Sequence, residues 1–408
     1  MINQHSLNQF NGGIAASRER SEVVFLFFFA LTIWNVAYLP ELMFSSFYRV
    51  ISFSSYGLWL VFFFSTIGGL VPLISKSSLA RVYVFAIGWQ ALMLAIGIGF
   101  GMRDVTSENY FFPVVSSFLC FYLGSIYRGV FTVKFWFWYS VPVVAIALYT
   151  CAFRLDSLEV QTVYLVSGKN SLAVIWGLAA IGLVFFSAQK GKVVSVLNFI
   201  ALLLIACCLI SRARTAFLGV CFVVGIIWSM RYFKKNIFTI AIGGIFLVSL
   251  VGVSMATDNP LSSFVSENLF KGRDMSNLDS ISSGRVSRML VSLDAFMGSP
   301  ILGLWGSSVE IPWVHNFLLN VLSARGLLGG LGCIVLYFAL CRVVLKGLRG
   351  IYRHPVFENW HLGYYLLLYI LIISLAEPTF PLSPTTVCGI AFICIGQALR
   401  CEGAQRIL

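Results

Sequence analysis

The sequence predicts an all-α polytopic membrane protein with about twelve transmembrane helices, and three observations carry that prediction. Of the 408 residues, 59% are hydrophobic and 11% charged, and the mean hydropathy is +0.89, outside the range of a soluble globular domain. Apolar stretches near the ~20 residues needed to cross ~30 Å of hydrocarbon as a helix recur roughly twelve times along the chain. Basic residues, finally, crowd onto alternate connections, as expected when basic loops stay on the cytoplasmic side.

The expected spans begin near Val23, Val50, Ala80, Phe111, Val133, Ser171, Val193, Thr215, Asn236, His315, Leu362 and Pro384. Residues 1–20 are polar, so the first span reads as a retained helix rather than a cleaved signal peptide. With both termini cytoplasmic, one face receives 17 of the 28 Lys and Arg side chains, and the other receives 12 of the 16 acids. The formal charge of +12 is then a topology signal with an attraction to anionic lipid heads, and it requires no nucleic-acid partner. The ten cysteines lie within or beside apolar spans and read as small core residues. No Cys and His spacing suits zinc, so no metal is expected.

Three regions follow: residues 1–255 with the first nine expected spans, a long outer loop over 256–314, and residues 315–408 with the last three. A loop of that length in a compact protein is usually functional. Within it, 286–296 places Val286, Met289, Leu290, Leu293 and Phe296 at helical spacing, which predicts an amphipathic helix too short to cross and folded onto the membrane domain. Ser282 and Ser283 are its expected N-caps, and Gly298-Ser-Pro300 ends it. The chain has no Gly-rich phosphate loop, serine nucleophile elbow or nucleotide fingerprint. Nor does an outer loop carry the Asp-x-Asp pair with which metal-dependent transferases hold a diphosphate-bound cation.

Four histidines occur. His5 lies in the polar N-terminal stretch, and His354 and His361 belong to a basic connection where a solvated role is expected. His315 stands at the outer mouth of a span, and histidine exchanges protons near neutral pH, which suits it to take a proton from a hydroxyl. A carbonyl-bonded histidine at a helix start is the alternative. Around it the outer face carries Arg273, Arg285, Arg288 and the tight turn Ser211-Arg-Ala-Arg214, whose two arginines run against the basic-inside trend. Arginine grips diphosphate oxygens bidentately, so Arg212, Arg214, Arg285 and Arg288 are candidate diphosphate ligands. Headgroup anchoring or pairing with loop acids is the other reading. Arg285 and Arg288, three apart, share a helix face. Asn316 and the intramembrane Arg325 are possible supports, Arg325 with Glu310 or Glu377 as a potential partner.

These pieces resemble the bacterial O-antigen polymerase and O-antigen ligase superfamily. The resemblance rests on Ser211-Arg212 opening an outer turn into a helix, on Ser283-Gly-Arg285 followed by an amphipathic helix and Ser299-Pro-Ile-Leu-Gly303, and on His315-Asn316 followed by Gly326-Leu-Leu-Gly329. It departs from the family at Ser287 and Met289, where relatives often carry an aromatic residue, and Arg214 and Arg325 lie outside its pattern. The resemblance implies a metal-independent glycosyltransferase of the C-type membrane fold, without a cofactor, in the bacterial inner membrane. It would draw an undecaprenyl-diphosphate-linked glycan from among the membrane lipids and join it to an acceptor at a periplasmic site. His315 would face the acceptor, and Arg212 and Arg285 the diphosphate. The cadence favours a polymerase that joins lipid-linked repeat units, for which a chain-length regulator is a further expected partner. A ligase that transfers the glycan to lipid A core is the alternative, and a polysaccharide transporter or flippase the alternative of another class.

Overall fold

The computed structural model describes residues 63–64, 66–100, 105–126, 133–153, 169–191, 195–232, 284–305, 314–353, 358–378, 381–382 and 385–405. The spans expected from near Val23, Val50 and Asn236 start outside them, as do most of the 256–314 loop, Arg273 and Glu310.

Every regular element among the described residues is helical. In chain order these are α1 Leu70–Lys76, α2 Ser78–Gly99, α3 Val105–Ile126, α4 Val133–Phe153, α5 Lys169–Gln189, α6 Val196–Ile210, α7 Arg214–Tyr232, α8 Arg285–Gly298, α9 Phe317–Arg353, α10 Leu362–Ser374 and α11 Thr385–Gln405, with short 3-10 turns at Ile67–Gly69 and Asn359–His361. Five helices are long and apolar enough to cross a membrane: Ser78–Gly99, Val133–Phe153, Asn170–Gln189, Arg214–Arg231 and Phe317–Arg353. The segments Ile67–Lys76, Tyr110–Ile126, Val196–Ile210 and Asn359–Ser374 are apolar but shorter. The described chain is therefore an all-helical membrane protein.

The sequence explains which helix is central. α5 is apolar on every side (Ala173, Ile175, Leu178, Ile181 and Phe185 among others), and a helix without a polar face belongs inside a bundle. It is almost wholly buried and packs against α4, α6, α7 and α10. By contrast Leu92, Trp138, Leu148, Phe222, Phe338 and Leu345 are exposed on the outer helices. Beside lipid, such side chains need no protein cover. α3 and α11 cross most closely. A Cβ at Gly124 would strike the Ile393 carbonyl and one at Gly396 the Phe121 carbonyl, so glycine is what lets the two backbones touch.

The ends of the bundle differ chemically. At one end Arg231 donates to the Ala188 carbonyl (3.0 Å) and Gln189 to Asn359 (2.6 Å). Lys346 pairs with Glu402 (3.7 Å), and Arg400 caps the last carbonyls of α3 at Ser125 and Ile126. His361 lies here too, and its expected solvated role is corrected: it is buried, and its Nδ1 accepts the Glu358 amide (3.1 Å) to cap the 3-10 turn. α5 and α7 traverse to the opposite end, which carries Asn170, the Ser211–Arg214 turn, Arg285, His315 and Glu377.

Two helix starts refine the expectations. α8 begins at Arg285 with Gly284 as its N-cap residue at φ 74°, and the expected caps Ser282 and Ser283 lie outside the described residues. α9 begins at Phe317, where the Asn316 side chain accepts the Leu319 amide (3.0 Å). α9 is also broken. At Gly326 the backbone takes φ 61° and ψ −166°, a combination open in practice only to glycine.

Candidate functional site

The site is organised around the C-terminal end of α10. A helix end leaves carbonyls without intrahelical donors, and Pro378 prevents continuation beyond Glu377. Two predicted residues fill that gap: Arg285 Nη1 donates to the Ala376 carbonyl (2.9 Å) and Asn316 Nδ2 to the Leu375 carbonyl (3.2 Å). A cation at a helix C-terminus is favoured by the macrodipole. Glu377, one residue on, adds a full negative charge.

Glu377 is where separate segments meet. Its Oε1 accepts from Asn170 Nδ2 at the start of α5 (2.7 Å) and from Arg285 Nη2 (3.3 Å). Arg285 also reaches Thr215 Oγ1 in the first turn of α7 (3.4 Å), so its planar fork spans three acceptors in a way one ammonium could not. His315 Nδ1 stands 3.8 Å from Glu377 Oε2, beyond hydrogen-bond reach. That nitrogen is shielded from solvent and makes no hydrogen bond. The imidazole as a whole is 22% exposed, so its accessible surface lies on the rest of the ring.

The predicted residues separate into those the fold gathers and those it does not. Arg285 and His315 meet through Glu377, and Asn316 supports both by capping α9 and holding the end of α10. Arg214 opens α7, immediately before Thr215. Arg212 occupies the turn between α6 and α7, whose amides return to α6 through Arg212 N to Leu209 O (2.9 Å) and Ala213 N to Cys208 O (3.2 Å). Among the described residues Arg212 is the one non-glycine residue with positive φ, 57°. Helices commonly end on glycine in that conformation, and an arginine held there carries backbone strain of about 1–2 kcal/mol. Such strain is found at functional positions more often than elsewhere.

Arg288 does not join Arg285. It is exposed on α8 while Arg285 turns into the cluster, so their three-residue spacing does not bring them to one partner. Arg325 lies deeper, fully buried, with its guanidinium 5.4 Å from the centre of the Tyr110 ring, whose hydroxyl accepts from Asn320 (2.8 Å). Glu377 thus pairs with Arg285, and Arg325 has the Tyr110 ring as a cation–π neighbour.

Sequence reasoning missed Asn170 and Thr215 and treated Glu377 only as a potential partner for Arg325. A signal was present for Glu377: an acid directly before proline, at the end of a strongly apolar helix, must find a cation or a donor at the membrane edge. Among the described residues, no three His, Cys, Asp or Glu side chains gather as metal ligands. The arrangement offers a carboxylate-backed imidazole, a fixed guanidinium and two neutral hydrogen-bonding side chains at one end of an apolar bundle. Neither a family model nor a curated protein sequence matches this chain.

Proposed function

We propose that this chain is a membrane glycosyltransferase of the O-antigen polymerase kind, joining polyprenyl-diphosphate-linked oligosaccharide units at the outer face of the bacterial inner membrane. The observation that supports this most is the meeting of Arg285 and His315 at Glu377. The family resemblance implies roles in that chemistry for both residues, which stand thirty positions apart in the sequence. Thr215, the residue after the Ser211–Arg214 turn, accepts from Arg285 (3.4 Å).

The chemistry follows from the side chains. The acceptor hydroxyl attacks the anomeric carbon of the donor, the bond from that carbon to the diphosphate oxygen breaks, and the hydroxyl proton passes to His315. With Nδ1 turned towards Glu377, Nε2 is the nitrogen left to receive it, as when a carboxylate orients a catalytic imidazole. The leaving diphosphate gains negative charge, which Arg285 and the arginines of the Ser211–Arg214 turn are suited to stabilise in a partly dry site. Glu377 is a positioning residue: it holds Arg285 and His315 in register and does not itself meet the substrate. The donor already contains the activated bond, so the reaction consumes no nucleotide.

Purified wild type and the variants His315→Ala, Arg212→Ala and Arg285→Ala, supplied with a lipid-linked oligosaccharide donor, test the assignment. The acceptor is either a second lipid-linked unit or lipid A core. Wild type is expected to extend the lipid-linked unit, while the three variants fold and insert normally but transfer at least ~100-fold more slowly, the lower range for a lost general base. Full activity in His315→Ala would sink the catalytic role. Transfer to lipid A core alone would make the protein a ligase.

A further inference from the structure

α8 was expected to be an amphipathic helix folded onto the membrane domain with Val286, Met289, Leu290, Leu293 and Phe296 on its apolar side, and the structure divides that set between two faces. The residues facing the protein are Arg285, Met289, Ser292 and Phe296, with Ser292 fully buried. The stripe Val286, Leu290, Leu293 and Met297, at i, i+4, i+7 and i+11 on one face, is exposed, with Leu290 58% and Met297 68% accessible. A third side carries Ser287 and Asp294, both exposed, with the exposed Val291 beside it. One side meets protein, one is apolar and open, and one is polar.

The apolar side continues into the membrane-facing surface. After α8 the chain turns through Pro300 to Leu304 and fastens to the break in α9: Leu304 N donates to Ser323 O (2.8 Å), Leu327 N to Pro300 O (2.9 Å) and Leu328 N to Ile301 O (2.9 Å). Ile301, Leu302, Leu327 and Leu328 are all exposed beside this seam. Its depth follows from the helix rise. At ~1.5 Å per residue, Leu327 stands about 22 Å along α9 from Arg342 and about 28 Å from Lys346. Hydrocarbon is ~30 Å thick. If those basic residues mark one boundary, the turn lies at or inside the other. Irregular backbone is tolerated at that depth only when its polar groups are paired within the protein, and the seam pairs them in part: Gly303 N donates to Ser299 O (2.7 Å) and Trp305 N to Leu302 O (3.3 Å), while on α9 Trp89 Nε1 donates to Leu328 O (2.8 Å) and Gln90 Nε2 to Gly329 O (3.2 Å).

From this we infer that α8 is an interfacial helix seated in the far leaflet, with Val286, Leu290, Leu293 and Met297 among phospholipid acyl chains, Ser287 and Asp294 towards water, and the following turn dipping to the hydrocarbon edge. The inference rests on the membrane-spanning character of α9 and stands whether or not the proposed chemistry is right. A short helix with this division of faces binds an interface by its buried apolar area.

Site-specific photo-crosslinking in the full chain tests the seat. A benzophenone-bearing phenylalanine replaces Leu290, Met297, Ser287 or Asp294, with Leu345, exposed on α9, as the lipid-facing reference. The purified protein is reconstituted in vesicles of phosphatidylethanolamine and phosphatidylglycerol, irradiated, and its adducts are weighed by mass spectrometry. Phospholipid adducts at 290 and 297, in yields like those at 345 and several-fold above those at 287 and 294, are expected. Adducts to a second copy or to another segment of the same chain at 290 and 297 would overturn the inference. So would equal lipid yields at all four positions, or lipid adducts at 345 with none on the stripe.

Discussion

Gly326→Ala isolates the joint on which the placement of α8 depends. The break at φ 61° and ψ −166° is a conformation an alanine occupies at a cost of about 1–3 kcal/mol. The new Cβ would also meet the Ile301 carbonyl and the Gly303 amide, so the turn must move off α9. Movement strains or breaks the bonds from Leu327 N to Pro300 O and from Leu328 N to Ile301 O, each 2.9 Å and each worth about 1 kcal/mol net. The expected destabilisation is about 2–4 kcal/mol, large for a single substitution. Gly225→Ala in α7 is the control, because a Cβ there meets nothing within 4 Å and alanine is the better helix former by up to about 1 kcal/mol. Denaturant titration of both variants in detergent, followed by loss of the monodisperse peak, compares them with wild type. An unchanged midpoint for Gly326→Ala would mean that the break does not need glycine and that the seam is not the mooring described above.

Glu377→Gln keeps the shape of the hub and removes its charge. Transfer is expected to fall about 100-fold with little change in expression, and in a His315→Ala background the same substitution should cost clearly less than it does alone, the remainder coming through the Glu377–Arg285 pair, because residues acting as one unit are not additive. A full additional loss in the double variant would show that Glu377 acts apart from His315. Arg285→Lys offers a point charge where a fork spans Ala376, Glu377 and Thr215; it should lose most of the transfer rate, whereas the exposed Arg288→Ala should stay within a few fold of wild type. Gly124→Leu drives a side chain into the Ile393 carbonyl and should abolish recovery of folded protein from detergent.

Much of the bundle is legible in the sequence, because a span must be continuously apolar and its length is set by the bilayer. α4 starts at Val133 as expected, and α2, α5, α6 and α7 start within a few residues of their expected positions. The site is legible in part. His315 and Arg285 stand out as polar exceptions in an apolar chain, but their meeting at Glu377 depends on how α8, α9 and α10 end together. No local pattern contains that. Gly326 and Gly303 could both be singled out as motif residues, yet the backbone seam between them appears only in three dimensions. α8 illustrates a deeper limit: in a membrane protein, an apolar stripe that faces lipid has the same periodicity as one that faces a core, so amphipathicity fixes the helix and not its rotation.

That rotation matters because α8 is held at both ends by unlike means. At its N-terminus Arg285 binds the Glu377 cluster, and past its C-terminus the turn of Pro300 to Leu304 is fastened to the α9 break. A helix of 14 residues is a stiff strut of about 20 Å, so a displacement at the seam is transmitted to the guanidinium instead of being absorbed in a loop. Gly326→Ala should therefore slow transfer as well as destabilise the fold, although residue 326 stands about 14 Å along α9 from Phe317. Arg285→Ala already removes the group the strut positions, so adding Gly326→Ala to it should cost activity far less than Gly326→Ala costs alone. Independent losses in that cycle would mean that α8 does not couple the two, and that Arg285 is placed by the α10 terminus alone.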